Sequence, residues 1–212
     1  MRAYLTEAIG TFFLVFTIGM TVVQGTPFAP LAIGAALMIM VYMGGHISGG
    51  HYNPAVTLAA VMRGALPGPL LVPYWVSQLV GATLGAYLAC VITGQDFSPA
   101  PGAEVTTLSA LLVEGLFTFA LCLVVLNVAT SKKTAGNSYY GLAIGFTIVV
   151  AAFAGGDISG GAFNPAVGTG PTLIHALGGE GGWGNLWLYW VGPLAGGALA
   201  AMVFKVQEGE QG

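Results

Sequence analysis

The chain has 212 residues, of which 56% are hydrophobic and only 6% charged, with 34 glycines and a mean hydropathy of +0.83. A soluble domain carries about 25% charged residues, so a water-facing surface of this composition is excluded, and no polar stretch is long enough to form an extramembrane domain. Five basic against eight acidic residues give a net charge of −3, which leaves no basic patch for nucleic acid.

A bilayer-crossing helix takes about 20 apolar residues. Apolar runs predict spanning helices over 4–23, 30–44, 69–92, 106–128, 139–154 and 186–204. The first run resembles a signal peptide, but it contains Glu7 and further spans follow, so it is read as the first helix. Two apolar segments, 54–63 and 165–175, are too short to cross and are expected to be re-entrant half-helices. With a cytoplasmic amino terminus, six spans put Arg2, Arg63, Lys132, Lys133 and Lys205 all on the cytoplasmic side, and Asp96, Glu104 and Glu180 opposite. Cys90 and Cys122 lie in apolar runs and are expected to be buried thiols. The tail from Gln207 to Gly212 is expected to be disordered.

The chain repeats itself. Glu7-Ala-Ile-Gly-Thr-Phe recurs as Glu114-Gly-Leu-Phe-Thr-Phe, an offset of 107. His46-Ile-Ser-Gly-Gly-His-Tyr-Asn-Pro-Ala-Val recurs as Asp157-Ile-Ser-Gly-Gly-Ala-Phe-Asn-Pro-Ala-Val, an offset of 111, and Tyr74-Trp-Val-Ser-Gln-Leu as Tyr189-Trp-Val-Gly-Pro-Leu, an offset of 115. One channel domain, 1–212, is therefore expected to hold repeats over about 1–95 and 106–206. Each repeat has three spans, so the second enters from the opposite face and the two Asn-Pro segments meet near the midplane.

At each segment, extended glycine-rich chain from Gly44 or Gly155 is expected to lead into a helix capped by Asn53 or Asn164, with Pro54 or Pro165 at the first helical position. Irregular backbone at membrane depth survives only when buried in protein or lining a wet cavity. Loop carbonyls then supply acceptors, the asparagine amides supply donors, and two helix amino termini oppose cations. Glu7 and Glu114, costly within apolar helices, are read as acceptors pinning the loops. His46 and Asp157 are read as structural hydrogen-bonding residues, with proton-sensitive gating at His46 or His51 as the alternative. His175 is placed at the outer mouth. Trp75, Trp183, Trp187 and Trp190 are read as packing or interface residues, and Gly81–Gly85 and Gly192–Gly197 as close helix contacts. No spacing of His, Cys, Asp or Glu suggests a metal site or a catalytic triad, so neither cofactor nor enzyme activity is expected.

Over essentially its whole length the sequence resembles the major intrinsic protein family, the aquaporins and aquaglyceroporins. The resemblance is carried by Asn53-Pro54-Ala55-Val56 and Asn164-Pro165-Ala166-Val167, Glu7 and Glu114, the His46-Ile-Ser-Gly string and Gly170-Pro171. It implies an all-α membrane protein, six transmembrane helices plus two half-helices in an inverted repeat. It also implies one pore per subunit, a homotetramer in the plasma membrane, and short loops suiting a prokaryotic member. Carried over by spacing, the outer selectivity constriction falls on Ile33, Ala152, Gly161 and Val167. Most members have an arginine where Val167 stands, many water-selective ones an aromatic and a histidine at the first two positions, and glycerol-conducting ones usually Asp where Gly168 stands. The expected constriction is small-sided, apolar and uncharged. The expected function is a passive channel for water and possible small neutral solutes. The alternatives are a glycerol, urea, ammonia or gas facilitator, or a structural protein whose pore is closed by Ile33, Phe163 or Val167.

Overall fold

The computed structural model describes residues 1–179 and 181–209, so Glu180 and the tail end 210–212 lie outside the described residues. Eight α-helices are described: α1 (Arg2–Val22), α2 (Ala29–Ser48), α3 (Pro54–Arg63), α4 (Leu71–Thr93), α5 (Thr107–Val125), α6 (Tyr140–Ser159), α7 (Pro165–Leu177) and α8 (Leu188–Glu208). Six are long and apolar enough to cross a membrane, and α3 and α7, at 10 and 13 residues, are the two short ones. The fold is all-α with multi-pass membrane topology.

Two boundaries differ from the sequence reading for one physical reason. Helices α2 and α6 continue through the glycine strings to Ser48 and Ser159, because at membrane depth an intrahelical hydrogen bond is the cheapest partner for each backbone group. Only at Gly49 and Gly160, with φ of +91° and +90°, does the chain turn out of the helix. The extended stretches are therefore 49–53 and 160–164, shorter than expected. At the other end of the chain, α8 runs through Gln207 and Glu208. Asn127 Nδ2 bonds Gln207 Oε1 at 3.2 Å and Ser131 donates to Glu208, so those two residues are ordered, not tail.

Helix pairs α1 and α4, α5 and α8, and α2 and α6 make the main contacts. In lipid no hydrophobic force draws helices together, so close packing of small residues does the work. Helices α2 and α6 cross where Gly34 and Gly145 lie backbone to backbone, each leaving no room for a Cβ against the other's carbonyl oxygen. Their spacing is the same 111 that separates the two Asn-Pro pairs. Gly81 and Gly85 meet the carbonyls of Ala8 and Phe12 on α1, and Gly192 and Gly196 meet those of Leu111 and Gly115 on α5. Each half-helix packs on the last span of the opposite repeat, α3 on α8 and α7 on α4.

Arg63 fixes the basic end: its guanidinium donates to Thr130 Oγ1 and the Thr130 carbonyl at 3.3 and 3.2 Å and lies 5.0 Å from the Phe204 ring. The cysteines are free, Cys122 buried as expected but Cys90 only half-buried.

Gly145→Val should drive a side chain into the α2 backbone, an overpacking cost of about 1–3 kcal/mol or more. A lowered melting temperature in detergent is the expected result, with Gly184→Ala, which meets nothing within 4 Å, unchanged.

Candidate pore and its constriction

A fully buried carboxyl group holds each extended loop. Glu7 Oε1 accepts from Ser48 Oγ at 2.7 Å and from the His51 amide at 3.0 Å, and Oε2 from the Tyr52 amide at 2.7 Å. In the second repeat, Glu114 Oε1 accepts from Ser159 Oγ at 2.7 Å and the Ala162 amide at 3.0 Å, and Oε2 from the Phe163 amide at 2.6 Å. Ser48 and Ser159 in turn accept from the amides of Gly50 and Gly161, both at 3.1 Å. The N–H groups of 49–52 and 160–163 thus all point into the scaffold. The carbonyls of Gly49, Gly50 and His51, and of Gly160, Gly161 and Ala162, find no donor among the described residues. Unpaired backbone at membrane depth survives where it lines a wet cavity, and Gly50, His51, Gly160, Gly161 and Ala162 line the larger cavity and Gly49 a smaller one.

The loops end in a strained turn. Tyr52 and Phe163 adopt φ of +50° and +49°, a left-handed conformation costing non-glycine residues about 1–3 kcal/mol. It reverses the chain into the extended Asn53 and Asn164, whose Oδ1 atoms cap α3 and α7 by accepting from Ala55 and Ala166 amides at 2.8 and 2.9 Å. Each Nδ2 donates across the pseudo-twofold axis, Asn53 to the Phe163 carbonyl and Asn164 to the Tyr52 carbonyl, both at 2.9 Å. An amide NH₂ has two hydrogens, so one N–H per asparagine remains. Two helix amino termini, each carrying partial positive charge, face each other there.

Asn53, Asn164 and the four residues Ile33, Ala152, Gly161 and Val167 line one cavity of about 610 Å³. Pro54, Ala55, Pro165 and Ala166 are buried behind the asparagines. Phe163 is turned away, its ring 5.6 Å from that of Phe117. A second cavity of about 550 Å³ at the basic end is lined by Gly45, His46 and Gly49 together with 128–132 and 134–137.

His46 and Asp157 correct the sequence reading. Both side chains are exposed and neither holds a loop; two residues before the ends of α2 and α6 they face the two cavities, Asp157 the larger and His46 the smaller. Beside the glutamates, the support comes from residues that the sequence reading did not assign to the loops. Besides the serines, Tyr74 and Tyr189 hydroxyls donate to the Ser48 and Ser159 carbonyls at 2.9 and 2.7 Å. Trp75 Nε1 donates to the Pro54 carbonyl and Trp190 Nε1 to Thr169 Oγ1, both at 3.0 Å, with the two rings 5.6 Å apart. The signal was present, since all six residues fall on the repeat offsets.

The repeats are not equal. Gln78 Nε2 donates to Glu7 Oε2 and Thr57 Oγ1, both at 2.8 Å, and His51 Nδ1 lies 3.2 Å from Thr57 Oγ1. The matching positions are Pro193, Gly168 and Ala162, which bring no polar side chain.

Half-helices meeting at paired donors, flanked by carbonyl runs within six crossing helices, define a pore-forming membrane protein. The family model described as Major intrinsic protein matches residues 1–204. Aquaporin-8 from Mus musculus is 36% identical over 98% of this chain and 82% of its own length. Aquaporin NIP1-1 from Zea mays is 36% identical, covering 97% and 74%, and Aquaporin TIP1-2 from Zea mays 38% identical, covering 84% and 69%. The aquaglyceroporin from Plasmodium falciparum shares the fold with a TM-score of 0.87 at 21% identity, over 96% of this chain and 94% of that one. The chain belongs to the major intrinsic protein family and is a channel, not an enzyme.

Glu114→Gln turns an acceptor oxygen into a donor facing a backbone N–H. Leaving buried groups unpaired costs about 1–3 kcal/mol each, so a lowered melting temperature and reduced flux in proteoliposomes are expected.

Proposed function

We propose that the chain is a passive pore for small uncharged solutes, in which water is one permeant among several and not the main one. The carrying observation is the cavity wall at Ile33, Ala152, Gly161 and Val167, which has neither a cationic side chain nor a bulky ring at those four positions. An arginine at such a place narrows the passage and supplies a charge; valine does neither. A solute stripped of water there replaces its lost hydrogen bonds step by step, donating to the loop carbonyls and accepting from the asparagines. An ion has no such replacement, because desolvation is expensive and the half-helix termini repel cations.

The reading extends to assembly and placement. The channel is one domain over 1–212, with inverted repeats at about 1–95 and 106–206. It sits in the plasma membrane with both termini cytoplasmic, consistent with Arg63, Thr130 and Phe204 gathered at one end, and it assembles as a homotetramer, as the family resemblance implies.

Stopped-flow light scattering on proteoliposomes tests the function. Entry of urea and glycerol well above protein-free vesicles is expected, and fast water entry with no solute entry overturns the proposal. Val167→Arg should lower the solute-to-water ratio several-fold. Asn53→Asp replaces an N–H donor with a negative charge, and a cation leak absent from the parent protein is expected in a dye-based flux assay.

A further inference from the structure

The α4–α5 connection contains no helix from Gly94 to Thr106, yet it is fastened at several points. Asp96 Oδ1 lies 2.9 Å from His175 Nδ1, within hydrogen-bonding distance. Ser98 Oγ lies 2.9 Å from Thr172 Oγ1. The Gly102 amide donates to the Ile158 carbonyl at 3.1 Å. The Ala100 backbone lies so close to Gly160 that a Cβ on that glycine would sit 2.6 Å from the Ala100 nitrogen. The anchoring residues belong to α7, to the end of α6 and to the loop after it, which are the elements that carry Gly161 and Val167.

Between these anchors, Phe97, Ser98, Pro99 and Ala100 line the same cavity as the four constriction residues. Phe97 is wedged against α1, where a Cβ on Gly19 would come within 2.5 Å of its ring. Thr172 spends its one hydroxyl proton on the Gly168 carbonyl at 2.7 Å. Ser98 must therefore donate to Thr172, and its oxygen faces the cavity only as an acceptor.

We propose that residues 95–102 form a fixed strap that completes the wall of the pore mouth, with Phe97 as a specificity-determining side chain and the Asp96–His175 pair as its positioning contact. The strap supplies the bulk that Ala152, Gly161 and Val167 do not. It rests on the solute-channel reading, and it makes the size limit a property of a loop tied to the half-helix instead of the spanning helices alone.

The test compares osmotic water entry with entry of urea, glycerol and erythritol in proteoliposomes. The forms are the parent protein, Phe97→Ala, His175→Ala, the double variant, and the exchanged pair Asp96→His with His175→Asp. Phe97→Ala should raise the glycerol-to-water and erythritol-to-water ratios several-fold. His175→Ala should move them in the same direction by less, the double variant no further than Phe97→Ala alone, and the exchanged pair back toward the parent. Unmoved ratios in Phe97→Ala with water entry intact overturn the strap, and multiplying effects in the double variant overturn the positioning role. Should Phe97→Ala fail to fold, shown by absent water entry, Phe97→Leu replaces it, with an intermediate ratio expected and an unchanged one overturning the proposal. A parent protein passing water alone would refute the solute reading, while the appearance of solute entry in Phe97→Ala would still support the strap.

Discussion

The structure depends on one constraint: backbone polar groups at membrane depth must be partnered, and this chain leaves its helices there twice. Glu7 and Glu114 solve half of the problem by collecting the loop N–H groups, directly at two amides per loop and through Ser48 or Ser159 at a third. The other half stays open, because the carbonyls of 49–51 and 160–162 find no donor among the described residues. A carboxyl group accepts and does not donate when ionised, so it sorts the two kinds of backbone group onto opposite sides of the chain. The same feature that makes a buried glutamate expensive thus creates the row of acceptors.

Once the loops are held, the rest is positioning. The left-handed turns at Tyr52 and Phe163 aim each asparagine at the other loop, and the two bonds of 2.9 Å across the axis lock the half-helices tip to tip. Tyrosine and tryptophan hydrogen bonds brace the loops and half-helices from α4 and α8. Glycine contacts let the spanning helices approach closely enough for side chains of that length to reach. Strain at a few residues persists because the surrounding hydrogen bonds over-determine it.

Symmetry ends where selectivity begins. The residues that hold the loops follow the repeat, whereas the side chains packed around the two glutamates do not. Around the first loop a connected polar cluster joins Glu7, His51, Thr57 and Gln78; around the second the equivalent positions are Ala162, Gly168 and Pro193. The first loop is therefore backed by a buried polar cluster, and the second by small apolar residues at the equivalent positions.

The spans, the half-helices and the pairing of Glu7 with Glu114 were legible in the sequence, because length, hydropathy and internal repetition act through local chemistry and need no knowledge of neighbours. So was the helix start at each Asn-Pro, where capping preference is a property of two adjacent residues. Ile33, Ala152, Gly161 and Val167, carried over from the family resemblance, line a single cavity. Which residues assist the two glutamates was not legible: His46 and Asp157 look suited to it, but the helical phase at the ends of α2 and α6 turns them into the cavities and leaves Ser48 and Ser159 facing the glutamates. Nor could the sequence place Asp96 beside His175, 79 residues apart. Local pattern determines what each segment is, whereas the direction of a side chain and the meeting of distant loops are decided only when all the helices have packed.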